Sequence, residues 1–290
     1  MAEPEPVFER QEYTEQRGRA LLADCLDVLR DTPSRSVALI YIDPPFGLDK
    51  SRRYARIKTG TGDLTRRGFS DRRYSKKVIS DMAYPDPLTT DEYVAHLRPR
   101  LEEMWRVLRD DGSIYVHLDF RSVHRVRNVM DDIFGDDDLL NEVIWAYDYG
   151  GRSRNKWPRK HDNILWYAQS DRWIFNREEI DRLPYMAPSL VGPEKAARGK
   201  LPTDVWWLTI VPTSSRERTG YPTQKPLGLL ERIVRASSNE GDIVADFFAG
   251  SGTAAVAAKR LGRRYLAVDN NPDAFRIAVS RIQNVLPTIW

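Results

Sequence analysis

The chain has 290 residues, 41% of them hydrophobic, which is length enough for one large α/β domain with a core that needs no staples. Its single cysteine, Cys25, excludes an intramolecular disulfide framework and a multi-cysteine zinc cluster; with no leader pattern in residues 1–6 and no run near the ~18 apolar residues of a membrane span, cytoplasmic residence without a membrane or metal partner is expected. The net charge of +3 is unevenly spread: residues 50–77 hold eleven Lys and Arg against Asp63 and Asp71, a net +9 that leaves −6 for the rest.

In chain order, residues 1–17 read as an N-terminal tail and residue 18 as the start of the folded domain. The apolar run of residues 37–42 ends in Asp43-Pro44-Pro45, as a buried parallel strand stopped by prolines would. The basic segment follows, bounded at 47–88. Residues 91–108 have helical spacing, with Leu101, Met104, Trp105 and Leu108 at i, i+3, i+4 and i+7 and Gly112 beyond the end. Residues 113–118 predict a strand and 123–133 a helix ended by Gly135. Two further strands, 143–147 and 163–167, read as a pair and flank a second acid-free cluster of Arg152, Arg154, Lys156, Arg159 and Lys160. Six prolines punctuate residues 172–222, a specialised insertion around Trp206-Trp207, which read as packing residues. Regular alternation then resumes with helix 227–237, strand 243–248, helix 253–261, strand 265–268 and helix 272–285. Strands alternating with helices predict a mostly parallel sheet covered on both faces.

Two motifs carry chemistry. The turn Phe248-Ala249-Gly250-Ser251-Gly252-Thr253 follows a strand and opens a helix, so backbone amides and a helix N-terminus face a ligand. It lacks the Gly-Lys-Ser/Thr ending of a P-loop. Asp269, followed by Asn270, ends the next strand about twenty residues on, where a carboxylate can accept hydrogen bonds from both ribose hydroxyls of a nucleoside cofactor. That pattern admits NAD or S-adenosylmethionine.

The other motif, Asp43-Pro44-Pro45-Phe46, places a carboxylate beside a carbonyl on a backbone fixed by two prolines. An exocyclic amino group on adenine or cytosine is a poor nucleophile because its lone pair is delocalised into the ring. Acceptors at Asp43 and Pro44 holding its two hydrogens would let the nitrogen pyramidalise and attack a methyl group in line. Phe46 would stack on a base withdrawn from its duplex, and Asp43 would help disperse the proton that is shed.

With these motifs in this order, the sequence resembles the beta group of bacterial DNA amino-methyltransferases over residues 18–286. Tyr221-Pro222-Thr223-Gln224-Lys225-Pro226 is similar to the family segment that precedes the cofactor strand and closes over methionine, and Lys160-His161-Asp162 with the strand after it is similar to a later core motif. The resemblance implies a seven-stranded Rossmann-like sheet, circularly permuted so that the chain enters at the third strand, residues 20–24. It implies S-adenosylmethionine as cofactor, bound by Asp24, Cys25, Asp43, Lys225, the 248–253 turn, Asp269 and Asn270; Cys25 itself reads as a core residue rather than a nucleophile. Asp rather than Ser at position 43 favours adenine N6 over cytosine N4.

The same resemblance implies double-stranded DNA as partner, leaves a cognate restriction endonuclease and a homodimer open, and maps a target-recognition region to 172–220, with Arg177, Arg182, Lys195, Arg198, Arg216 and Arg218 available for phosphates or guanine edges. Phosphate contacts are expected from Arg52, Arg53, Arg66, Arg67, Arg72, Arg73, Lys76 and Lys77, on a loop that orders on DNA, and from Arg152, Arg154, Lys156 and Lys160. The rival readings are a nicotinamide-dependent oxidoreductase, which leaves Asp43-Pro44-Pro45-Phe46 unexplained, and a catalytically inactive DNA-binding module.

Overall fold

The computed structural model describes residues 9–45, 52–60, 66–67, 73–84, 90–148, 153–212 and 214–285, with side chains described outside 46–90. The chain enters its main sheet earlier than the tail expectation allowed. Strand β1 (Gln11–Glu15) pairs antiparallel with β2 (Gly18–Leu22), Tyr13 opposite Ala20. Tyr13 packs on the core, and Glu12 faces Arg19 across the pair at 2.8 Å. The segment is otherwise polar, which is why it carries little hydrophobic pattern.

Asp24 caps the short helix α1 (Cys25–Asp31), its carboxylate accepting from the Leu26 amide at 2.7 Å. Strand β3 (Val37–Ile42) is buried at every position, as a central parallel strand must be. The chain divides into two units, Met1–Pro44 with Val94–Trp290, and Pro45–Tyr93. In the smaller unit β4 (Arg52–Gly60), β5 (Arg66–Arg67) and β6 (Arg73–Tyr84) form an antiparallel sheet in the order β4-β6-β5. The expected basic loop is therefore largely paired strand; Tyr54, Ile57, Val78 and Ile79 supply β-forming residues on either side of the glycines at 60 and 62.

In the main unit, α2 (Thr90–Val107) leads to β7 (Leu108–Leu118), which starts earlier than expected because a register shift at its pairing with β3 absorbs the turn-prone residues before Ser113. Helix α3 (Val123–Phe134) ends at Gly135, and β8 (Leu139–Ala146) and β9 (His161–Ala168) form the anticipated pair. The insertion holds helix α4 (Pro193–Arg198) and strand β10 (Val205–Trp207), and then α5 (Leu227–Ser237), β11 (Ile243–Asp246), α6 (Thr253–Arg260), β12 (Arg264–Asp269) and α7 (Pro272–Gln283) follow closely the expected bounds.

The sheet order is β1-β2-β12-β11-β3-β7-β9-β8-β10. Its inner seven strands are the Rossmann-like core, with β9 antiparallel between β7 and β8. The seven expected strands become nine because β1 and β10 add an edge each. Chain order is permuted: the glycine turn's strand, β11, is central in the sheet and late in sequence. Leu39, Tyr41, Tyr115 and Trp166 share one buried cluster with α5, α6 and α7. The alternate residues face the layer of α1, α2 and α3, where Tyr167 bonds Asp131 of α3 and Phe134 packs on Trp105 at 4.5 Å. Among the described residues, no helix is long and apolar enough to cross a membrane.

Candidate active site

Strands β3 and β11 are parallel neighbours, so the residues beyond their carboxyl ends lie side by side. One end presents Asp43-Pro44, the other the glycine turn, in the kind of crevice where open α/β sheets bind ligands. The Asp43 carboxylate is ion-paired through Oδ2 with the ammonium of Lys225, both side chains mostly buried at 15% and 11% exposure. Its other oxygen, Oδ1, is buried without a hydrogen-bond partner among the described residues. Pro44 is buried and Pro45 exposed, while Phe46 lies outside the described residues.

The glycine turn is held from three sides. Gly250 and Gly252 have φ of +50° and +73°, a region costly for other residues. A Cβ on Gly252 would stand 2.7 Å from that of Ala278, so this glycine also lets α6 and α7 approach. From β12, the Asp269 carboxylate accepts from the Gly250 amide at 2.7 Å and the Asn271 amide at 2.8 Å. Burial pushes the Asp269 carboxyl up to about 6. Beneath the turn, Arg281 donates to the Ser251 carbonyl at 2.7 Å and hydroxyl at 3.0 Å and to the Thr253 hydroxyl at 2.9 Å. Ser251 and Thr253 are thus fastened inward, while Phe248 is half-buried and Asn270 exposed. Asp246 is buried at the end of β11, and its carboxyl stands well above the usual carboxylate range because of that burial and the nearby Asp43 and Asp269 charges.

At the end of β2, the Ala23 amide donates to the Asp269 carbonyl at 3.1 Å, which sets Asp24 beside the turn. Asp24 is committed to its cap and to buried Arg100 at 2.8 Å. Cys25 is buried, with Arg100 Nε at 3.2 Å from its Sγ, and burial pushes the thiol up to about 12. That environment suits a core residue.

Sequence reading missed a buried polar chain behind Asp43. Tyr41 Oη lies 2.9 Å from His117 Nδ1, His117 Nε2 lies 3.3 Å from Asp162 Oδ2, and Tyr147 donates to Asp162 Oδ1 at 3.2 Å. Burial alone would raise the Asp162 carboxyl, but the His117 hydrogen bond and the Lys225 charge leave it below its ordinary value. Burial and the charges of Asp43, Asp246 and Asp162 push the Tyr41 hydroxyl far up. Two sequence signals pointed at it, the histidine in the 113–118 strand and Asp162 in the Lys160-His161-Asp162 motif, but neither linked the two residues. Arg281 was equally hidden, since it lies 30 residues from the carbonyl it holds.

Of the residues assigned to DNA, Arg72 and Arg152 lie outside the described residues, as do the side chains of Arg52, Arg53, Arg66, Arg67, Arg73, Lys76 and Lys77. The backbone places those seven on β4, β5 and β6, with Lys76 opposite Thr59 and Lys77 opposite Lys58. Arg154 and Lys156 are exposed, and Lys160 donates to the Asp148 carbonyl at 3.1 Å. In the insertion Arg177, Lys195, Arg198, Arg216 and Arg218 are exposed, whereas Arg182 is tied to Glu178 at 2.7 Å. The insertion is anchored rather than free: β10 pairs with β8, Arg232 of α5 bonds Asp181 at 2.9 Å, and Arg263 reaches Glu179 at 3.2 Å. Trp206 packs as expected, but Trp207 is 69% exposed, because consecutive residues of a strand point to opposite sides.

A family profile described as DNA methylase matches residues 37–280. The chain is 29% identical over 268 residues to the type II methyltransferase M.HpaI of Haemophilus parainfluenzae, covering 92% of this chain and 74% of that protein. It is 27% identical over 279 residues to the type II methyltransferase M.HinfI of Haemophilus influenzae, covering 92% and 68%. Among solved structures, the cytosine-N4-specific PvuII DNA methyltransferase superposes with a TM-score of 0.65 at 17% identity, covering 96% of this chain and 90% of that one. M1.HpyAVI in its SAM complex gives 0.58 at 18% identity, covering 91% and 98%. These structural likenesses concern the fold.

Proposed function

This chain belongs to the DNA methylase family, and from that premise we propose that it transfers a methyl group from S-adenosylmethionine to the N6 amino group of an adenine withdrawn from double-stranded DNA. The observation that carries the reading is the buried Asp43 Oδ1, which has no partner among the described residues. A buried carboxylate oxygen without a donor is costly, and an amino N–H is the donor that would satisfy it.

The crevice fits the cofactor's chemistry. Asp269 keeps lone pairs for two ribose hydroxyls, and the positive-φ glycines let the backbone come close to a bound molecule. Asp24 and Cys25, through the strand end they follow, together with Phe248 and Asn270, would line the nucleoside side; Lys225 and its segment would lie toward methionine. When bound, S-adenosylmethionine would supply an electrophilic methyl group on a sulfonium, whose sulfur would keep the electron pair of the broken S–CH3 bond and leave as a neutral thioether. Asp43 Oδ1 and the Pro44 carbonyl draw the two amino hydrogens, and the nitrogen lone pair leaves the ring plane. As the new N–C bond forms, the amine sheds a proton, which Asp43 is placed to accept. Phe46, two residues after Pro44, is assigned to stack on the withdrawn base.

Adenine is favoured by the carboxylate at position 43, the residue more usual for N6 chemistry in the resemblance drawn from the sequence. Cytosine N4 is the second reading, supported by the cytosine-N4-specific PvuII enzyme among the neighbours. The type II names of the relatives support a place in a restriction–modification system, with a cognate endonuclease and a homodimer as further parts of the proposal. Nucleoside analysis of DNA treated with the protein and cofactor tests the base: N6-methyladenine is expected, and N4-methylcytosine alone would transfer the assignment to cytosine.

A further inference from the structure

Trp157 is 94% exposed, the most exposed aromatic among the described residues. Its neighbours in the stretch between β8 and β9 are Arg154, Lys156, Arg159 and Lys160, with no acid between 153 and 161. The base of that stretch is fixed. The Tyr147 amide donates to the Lys160 carbonyl at 2.8 Å, and the Arg159 guanidinium sits 3.6 Å from the centre of the Phe120 ring, just beyond β7. Because β7 is parallel to β3 and β9 antiparallel to β7, the end of β7 and the start of β9 fall on the same sheet edge as Asp43. An indole left in water among cations at that edge has no apolar cover among the described residues. The partner that complements both features is a polyanion with aromatic rings.

We propose that Trp157 is a stacking residue for DNA: its indole enters the base stack of the bound duplex and offsets stacking lost when the target base is withdrawn. The proposal rests on the methyltransferase reading for why a gap arises, but stacking itself is independent of transfer. Pro158, immediately after, limits the backbone freedom that ordering the indole would otherwise cost. Neighbouring cations hold phosphates, while the ring supplies a contact that does not release counterions.

That difference sets the test. Binding of a short duplex with one abasic nucleotide, and of the same duplex intact, is measured over a range of salt for the parent, Trp157→Ala and Trp157→Phe. The parent should prefer the gapped duplex. Trp157→Ala should lose roughly tenfold or more on it and the preference with it, at an unchanged salt slope, and Trp157→Phe should keep most of the affinity. Trp157→Ala binding within twofold of the parent, a loss accompanied by a shallower slope, or no rescue by Phe would each overturn the proposal. A parent that binds DNA in this way yet transfers no methyl group would remove the proposed function and leave the stacking role standing.

Discussion

Lys225 and Asp43, 182 residues apart in sequence, form an ion pair that occupies one oxygen of the carboxylate and leaves the other buried, with no partner among the described residues. The pair gives Asp43 a counter-charge close to the buried Asp246 without blocking the oxygen assigned to the amine. Lys225→Met should therefore leave a mostly buried carboxylate exposed to its neighbours' charge, and removing one partner of such a pair costs about 3 kcal/mol. Thermal melting should show a fall of several degrees, at roughly 2–4 °C per kcal/mol. Lys225→Met with Asp43→Asn should recover most of it while remaining inactive. Equal melting of parent and Lys225→Met would show that the pair does not stabilise the site.

Cofactor affinity should depend on pH through Asp269. Its carboxyl is raised to about 6, so it accepts from ribose hydroxyls as the anion above that pH and becomes a donor below it. Affinity should be flat above pH 7 and about tenfold weaker at pH 5. The sign for stability is opposite. A group whose folded pKa lies above its unfolded value stabilises the fold below the unfolded value, and that contribution is lost as pH rises through about 6. Calorimetric titration and melting of the cofactor-free protein, each compared with Asp269→Asn, isolate both effects. A pH-independent affinity between 5 and 7 would contradict the assignment.

Gly252→Ala should damage both fold and cofactor binding. The added Cβ meets Ala278 at 2.7 Å on a backbone with φ of +73°, a combination of overpacking and strain worth about 2–4 kcal/mol. Adding Ala278→Gly should restore part of the melting temperature but not the strain. A fully restored double variant would assign the glycine to helix packing alone.

Arg154 and Lys156 are exposed on the stretch that carries Trp157. Converting both to Gln should weaken DNA binding and reduce the steepness of the plot of log affinity against log salt by about 0.9 for each lost phosphate contact. An unchanged slope would remove these two residues from the DNA surface.

What was legible in the sequence was contiguous. Asp43-Pro44-Pro45-Phe46 and the 248–253 turn announce strand ends because prolines and glycines restrict the backbone locally, and the strands before them are apolar runs. Tyr41, His117 and Asp162 become neighbours only through the order β3-β7-β9, and no local pattern encodes that order. Arg281 is one exposed-looking position of an amphipathic helix until α7 is laid against the glycine turn. The edge strands escaped notice for a related reason. Tyr13 is the only large apolar residue of β1, and β10 is three residues long, so each depends on an already formed neighbour for its pairing. The paired strands within 52–84 were obscured by charge, since a run of Lys and Arg reads as solvated chain even where β-forming residues alternate through it.

Whether Asp43 holds the amino group during transfer is read from labelled-methyl incorporation into DNA and S-adenosylmethionine binding, measured side by side for the parent and Asp43→Ala. The variant should stay folded and bind cofactor within about tenfold of the parent, while incorporation should fall by roughly 10²–10⁴-fold, the range expected when a group that handles the reacting proton is removed. Incorporation by Asp43→Ala at the parental rate would contradict that role.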